Sequence, residues 1–370
     1  MGRSETDIIS QSASGLYCAA GDFWIDPINP VDRAVITHAH SDHARSGMGS
    51  YLTHKHGVPL LKARIGAEAT VQGIEYGRPT RMKDAVITLF PAGHILGSSQ
   101  VRIEVKGRTA VVSGDYKRDT DPTCTDFEPV RCNEFISEAT FAIPVFRWDS
   151  PSTVVADIES WWNANISEGV TSVLFVYALG KAQRILASLT TLPGPLRAHG
   201  AITKYDDAYR SAGVTLPSVT KVTSENAREQ RGRSLVLAPP SAQGTSWQRK
   251  LGPASTGFAS GWMRIRGRKR QRGVDRGFIL SDHADWAGLL ETVKETTAEH
   301  VRFMHGYTEP ISRLLIEQGL DARPVDKPEF SVPFQNTDSG RSQTAISPTL
   351  WDLNGGYNGH LPGGLPPCSD

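Results

Sequence analysis

The sequence predicts an α/β protein built from more than one unit, and three observations carry that expectation. The first hundred-odd residues alternate short apolar runs with Gly, Pro and Asp, the texture of strands and turns. From Pro144 onward, apolar residues at helical spacing alternate with strand-like runs, the pattern of a parallel sheet with crossover helices. Beyond Lys327 neither period persists.

Taken in order, FWID, RAVITHAH, AVITLFPAGH, VRIEV and TAVVSGD read as strands, several with polar residues at their C-terminal ends. TVVADIESWWNANISEG reads as a helix whose Trp161 and Trp162 belong to a core; SVLFVYA follows as a strand and KAQRILASL as a helix. From Gly261, WMRIR and GFIL are strand-like, SDHADWAGLLETVKETT helical, VRFMHG a strand and EPISRLLIEQGL a helix. The segment QNTDSGRSQTAISPTLWDLNGGYNGHLPGGLPPCSD is rich in Gly, Pro, Ser, Thr and Asn with no apolar period, which predicts a disordered tail.

With 370 residues, 40 Lys+Arg and 39 Asp+Glu, the chain has a net charge of +1 and carries no polybasic field. Hydrophobic residues at 39% suffice for the cores of two domains. No apolar run approaches the roughly 20 residues of a membrane-spanning helix, so no membrane partner is expected. The opening MGRSETDIIS lacks the apolar core of a secretory signal, from which a cytoplasmic location is expected. Cys18, Cys124, Cys132 and Cys368 lie far apart without a CxxC pair, which speaks against a thiolate zinc knot or a disulfide framework. Any metal must therefore be held by His and carboxylates.

Such a set is present. The strand RAVIT runs into His38-Ala39-His40-Ser41-Asp42-His43, three imidazoles and a carboxylate within six positions. In an extended stretch His38 and His40 point to one side, while Asp42 and His43 follow in the turn. Imidazole and carboxylate together suit Zn²⁺ or Mn²⁺. His94 in PAGHILGSS and Asp115 in TAVVSGDYK each end a further predicted strand, where binding residues of α/β layers gather. Asp26, in FWIDP, reads either as a turn residue before Pro27 or as a support of the metal loop.

The order HAHSDH, then GH in PAGHILGSS, then SGD resembles the metallo-β-lactamase superfamily. Glu138 in SEATFA, the string Tyr177 to Gln183 (YALGKAQ), His283 in SDHADW and His305 in FMHGYT narrow the resemblance to its β-CASP nuclease branch. The resemblance implies a four-layer αββα sandwich with an inserted β-CASP α/β domain. By it, residues 1–142 would form the first part of the metallo-β-lactamase domain, 143–255 the insert, 256–327 the return segment and 328–370 the tail. It implies one metal at His38, His40 and His94, another at Asp42, His43 and His305, and Asp115 bridging, with Asp26 orienting the metal loop. Asp42, Asp115, Glu138 and His283 would be the catalytic set, in which two cations present a hydroxide for in-line attack and His283 acts as the acid. Ala139, Ala142 and Lys181 stand where the family usually has Ser, Gly and Arg, so the ionisable groups are kept.

The local basic run RIRGRKRQRG, with Arg264 and Arg266, reads as a basic hairpin that contacts phosphates or as a solvated turn. Gly180-Lys181, at a predicted strand-to-helix junction, is placed to hold an anion. His199 ends a predicted strand and is either structural or a substrate contact; His54, His56, His300 and His360 read as loop or tail residues.

The strings GLYCAAGDFWIDP, SGDYKRDTDPTC, FASGWM and LSDHADW resemble the bacterial ligase-associated DNA exonucleases. That likeness implies a metal-dependent phosphodiesterase with a nucleic-acid partner, DNA preferred over RNA, and a functional association with an ATP-dependent DNA ligase in repair. Removal of nucleotides from the 5′ end is expected on the same likeness. The alternatives are an RNA-processing β-CASP ribonuclease, a small-molecule metallohydrolase and a non-catalytic nucleic-acid-binding scaffold. The metal site acts on phosphate while the sugar is read elsewhere, so the site residues leave DNA and RNA equally open.

Overall fold

The computed structural model describes residues 7–325. The tail expected over residues 328–370, with His360 and Cys368, lies outside the described residues.

The apolar alternation of the N-terminal half is spent on two sheets packed face to face. One sheet has six strands in chain order: Ser10–Ser12, Gly15–Cys18, Phe23–Ile25, Arg33–Val35, Ser50–His54 and Val71–Ile74. The other has seven, in the spatial order Asp321–Pro324, His300–Gly306, Glu134–Ala139, Arg108–Val112, Ser99–Val105, Ala85–Pro91 and Thr80–Met82. Leu16, Phe23, Ile25, Val35 and Leu52 of the first sheet meet Ile87, Leu89, Val101, Ile103 and Val112 of the second in one buried core. This is the period of two expected where one face of a strand is buried.

Helices cover the outer faces. Trp286–Thr296 and Thr308–Glu317 bring Leu289, Val293, Ile311 and Leu315 onto Val111, Phe135, Val301 and Phe303 of the seven-stranded sheet. Gly57–Ile65 lays Leu60 and Leu61 against the outer side of the six-stranded sheet, near Ala34 and Tyr51. The αββα layering implied by the family resemblance is therefore present.

A third sheet is wholly parallel, in the order Thr220–Lys221, Leu196–Ala198, Leu235–Ala238, Thr171–Phe175, Ala254–Ala259 and Arg276–Phe278. Its central strand Thr171–Phe175 is buried throughout, as a strand covered on both faces must be. Leu174 and Val176 face the core that holds Trp161 and Trp162 of the helix Pro151–Ser167, and Val173 and Phe175 face a separate one. Two sequence expectations need correction here. The boundary expected between residues 255 and 256 falls inside the strand Ala254–Ala259, and the third sheet continues to Phe278. The basic run is no hairpin: Gly261–Arg264 is a single 3₁₀ turn, and Arg268–Arg272 is a short helix between Gly267 (φ 87°) and Gly273 (φ 61°). Glycine at both ends supplies the left-handed backbone that starts and stops it.

Candidate metal centre

The C-terminal ends of strands from both sandwich sheets meet at one edge. Arg33–Val35 leads into His38, His40, Asp42 and His43; Ala85–Pro91 into His94; Arg108–Val112 into Asp115. Glu138 and His305 lie in the last residues of their own strands, and His283 in the segment before the helix Trp286–Thr296. Gly114 allows the Asp115 turn to pass the His38 loop: its φ is +58°, and a Cβ there would lie 2.7 Å from the Thr37 Cβ.

Hydrogen bonds on the outer side of each ring fix which nitrogen faces inward. His40 Nε2 donates to the Leu179 carbonyl at 3.0 Å, and His94 Nδ1 to the Asp282 carbonyl at 2.6 Å. Thr37 Oγ1 gives its hydrogen to Asp26 Oδ2 at 2.5 Å, so its oxygen accepts from His38 Nδ1 at 3.1 Å. The remaining nitrogens, His38 Nε2, His40 Nδ1 and His94 Nε2, thus carry lone pairs, yet His40 Nδ1 lies 3.1 and 3.0 Å from the other two. Three lone pairs at that spacing repel unless a cation sits among them, and the spacing suits nitrogens bound at about 2.0–2.1 Å to one ion. Burial and the neighbouring imidazoles hold His38 and His94 well below the ordinary histidine range, and burial lowers His40 too. Neutral imidazole is the ligating form.

Asp115 stands at the centre. Its Oδ2 lies 3.6 Å from His38 Nε2, 3.4 Å from His43 Nε2 and 3.9 Å from His94 Nε2. It is common to all three clusters of converging ligand atoms among the described residues: His38, His40, His94 and Asp115; Asp42, His43 and Asp115; and Asp115, Glu138 and His283. These donors fit a divalent cation. Burial acts to raise the Asp115 pKa, but the charges of His43 and His283 outweigh it and hold the carboxyl well below its usual range.

Asp26 accepts from the Thr37 amide at 2.8 Å and from His43 Nδ1 at 2.7 Å, which turns His43 Nε2 toward Asp115 and, at 3.8 Å, Asp42. It adopts a positive φ of 43°, uncommon outside glycine. His305 is brought beside His43, ring centroids 5.4 Å apart, but stays outside the three tight clusters. A register shift pairs Glu138 with Met304 and Ala139 with Gly306, so His305 is the bulged residue between them, with φ 61°. Bulges of this kind re-aim a side chain.

His283 Nδ1 meets Glu138 Oε2 at 2.8 Å, and Glu138 Oε1 accepts from the Tyr116 amide at 2.7 Å. Burial alone would lower the His283 pKa, but Glu138 and then Asp115 raise it to about 9. Asp285, not His283, caps the following helix by accepting from the Gly288 amide.

Other expectations change in the structure. Lys181 is not open to an anion: it is buried, and its Nζ lies 2.7 Å from Asp282 Oδ2. Gly180 does start the helix Lys181–Ser188, with its amide held by Gln183 Oε1. His199 caps the helix Gly200–Thr203 and packs on Trp247, apart from the ligand clusters. Arg264 is 3.8 Å from Asp149, and Arg266 is exposed. His54, expected in a loop, is buried at the end of the strand Ser50–His54 and stacks on Tyr76. Residues not anticipated include Thr37, Trp148, whose Nε1 donates to the His283 carbonyl at 2.8 Å, and Asp282.

Comparison with known proteins bears on this edge. The chain is 29% identical over 314 residues to a protein of Opitutus terrae named "Probable DNA ligase", covering 83% of this chain and 30% of that protein. It is 30% identical over 146 residues to "Endoribonuclease YSH1" of Gibberella zeae and 29% over 123 residues to that of Saccharomyces cerevisiae, covering 38% and 32% of this chain. The chain is related to the β-CASP nucleases of the metallo-β-lactamase superfamily. It spans less than a third of the length of these curated relatives, 30%, 17% and 15% respectively. No family model matches it. A crystal structure of a protein of unknown function from Enterococcus faecalis shares the fold, with a TM-score of 0.56 over 80% of this chain and 79% of that one at 11% identity. No helix among the described residues is long and apolar enough to cross a membrane.

Proposed function

We propose that this chain is a metal-dependent phosphodiesterase that acts on nucleic-acid strands, DNA in preference to RNA, as an exonuclease of repair associated with an ATP-dependent DNA ligase. The observation that carries the reading is the convergence of three deprotonated imidazole nitrogens and the Asp115 carboxylate beside a His283–Glu138 pair. Two divalent cations, Zn²⁺ or Mn²⁺, would be held by His38, His40 and His94 and by Asp42, His43 and His305, with Asp115 between them. When bound, such ions supply Lewis-acid stabilisation of phosphoryl charge and a nucleophile at neutral pH.

The chain's own residues do the rest. Asp26 holds His43 by its far nitrogen, and the Leu179 and Asp282 carbonyls do the same for His40 and His94. Glu138 fixes Nδ1–H of His283 and favours the imidazolium, so that Nε2–H is the proton available to the departing oxygen. Asp42 is more exposed than Asp115, so a substrate phosphate would approach from its side. The third sheet and its helices, about residues 143–278 after the boundary correction, act as the inserted domain that walls the substrate channel.

A path for the strand would run from His283 past the Trp262 ring to the basic helix. Phe141, buried between them, lies 5.8 Å from the His283 ring and 4.9 Å from Trp262; Trp262 itself is partly exposed, and Arg268 sits 5.7 Å over it. A partly exposed aromatic face beside arginine suits an unpaired strand, with Arg264, Arg266 and Lys269 on its phosphates. The name of the Opitutus relative favours DNA; the YSH1 names favour the second reading, an RNA-processing nuclease. Digestion of matched DNA and RNA strands labelled at either end tests both. Faster loss of DNA from the 5′ end supports the first reading, and faster loss of RNA supports the second. Release of short products from the 3′ end first would reverse the polarity.

A further inference from the structure

The loop Leu179-Gly180-Lys181 and the helix that follows belong to the chain of the third sheet, yet they touch one of the three imidazoles on the sandwich edge and reach a second through Asp282. The contact with His40 is direct, through the Leu179 carbonyl at 3.0 Å. The contact with His94 passes through Asp282: the peptide oxygen of Asp282 accepts from His94 Nδ1, and its carboxylate is held by Lys181 at 2.7 Å and by Arg184 at 3.1 Å. Arg184 also donates to the Ser281 carbonyl at 2.6 Å and approaches Asp121, which takes Lys117 at 2.6 Å. All five charged groups are buried. The seat is close: Gly180 has φ +91°, and a Cβ there would lie 2.2 Å from Ile95 Cγ2 and 3.9 Å from His40 Nε2.

A buried ion pair of this kind adds little net stability against apolar packing, because desolvating both charges offsets much of their attraction. What it does supply is a fixed position for the Asp282 carbonyl. That carbonyl sets the tautomer of His94, as the Leu179 carbonyl sets that of His40, and outer partners of ligating histidines govern metal affinity. We infer that Lys181 and Arg184, through Asp282, are positioning residues of the metal centre, so that the third-sheet unit must be seated on the sandwich for the His38–His40–His94 site to hold its cation tightly. This rests on reading those histidines as metal ligands.

The test uses the full chain stripped of metal and titrated with Zn²⁺ against a competing chelator dye, with circular dichroism to confirm the fold. Wild type should bind, and Lys181→Met, nearly isosteric and uncharged, should bind roughly 10–100-fold more weakly. Asp282→Asn, which keeps the peptide carbonyl and the side-chain shape, should weaken binding less and serves if Lys181→Met does not fold. A folded variant with lower thermal stability but wild-type Zn²⁺ affinity would show a structural role alone and overturn the proposal. Failure of wild type itself to bind either Zn²⁺ or, in a parallel titration, Mn²⁺ would overturn both this proposal and the phosphodiesterase reading. Binding without strand cleavage, weakened in Lys181→Met, would overturn only the latter.

Discussion

His283 Nδ1 and Glu138 Oε2 meet at 2.8 Å although 145 residues separate them. The pair leaves one ring nitrogen engaged and the other unpartnered among the described residues, in a ring whose pKa is raised to about 9. His283→Ala should therefore keep metal and strand binding while turnover falls roughly 10²–10⁴-fold. Glu138→Gln should fall between it and wild type, since it keeps shape and removes charge. Metal analysis beside single-turnover cleavage checks this; loss of metal from His283→Ala would make it a ligand instead.

Asp115 belongs to every cluster of ligand atoms at the edge. Asp115→Ala should lose metal as well as activity, in contrast to His283→Ala. Element analysis after reconstitution distinguishes the two, and full metal occupancy in Asp115→Ala would remove it from the ligand set.

The basic helix carries the proposed strand contact. Reversing Lys269 and Arg270, both exposed, to Glu should weaken binding of a single-stranded oligonucleotide and flatten its salt dependence, by about one unit of slope for each phosphate that is no longer neutralised. Hydrolysis of a small phosphodiester should stay at the wild-type rate. An unchanged salt slope, read by fluorescence anisotropy, would place the strand elsewhere.

His54 gives a pH dependence separate from the chemistry. Burial, then the charge of His56, lowers its pKa from the ordinary 6.5 to about 4, and its ring lies 3.7 Å from that of Tyr76. A depressed histidine pKa means that the unfolded chain takes up the proton first. The stability contributed by neutral His54 is present above pH 6.5 and is lost progressively as pH falls toward 4. His54→Gln should flatten the fall in thermal midpoint across that window, and an unchanged profile would assign the loss to other groups.

Much of the candidate site is legible in the sequence because its residues are local. His38 to His43 leave one strand together, and His94 and Asp115 follow two others, so the dense first cluster and the family resemblance point to them. Pairing across the chain is not legible in the same way. Lys181 reads as an open cation beside a helix start, and only the fold shows Asp282 against it, 101 residues away. The Leu179 contribution is a peptide carbonyl, for which no side chain gives a signal. The third sheet runs past its expected end because Ala254–Ala259 pairs with Thr171–Phe175, a parallel partner far back in the chain. The basic run reads as strand because its few apolar residues, Met263 and Ile265, alternate with arginine, while the glycines at 267 and 273 bound a helical turn.

Metal titration of the full chain, coupled to hydrolysis of an end-labelled strand, tests most directly whether this edge is a cation centre that cleaves phosphodiesters. The predicted result is about two equivalents of Zn²⁺ or Mn²⁺ per chain, with cleavage that rises as they bind and disappears on chelation. At most one equivalent after reconstitution, or cleavage unaffected by removal of the metal, would contradict it.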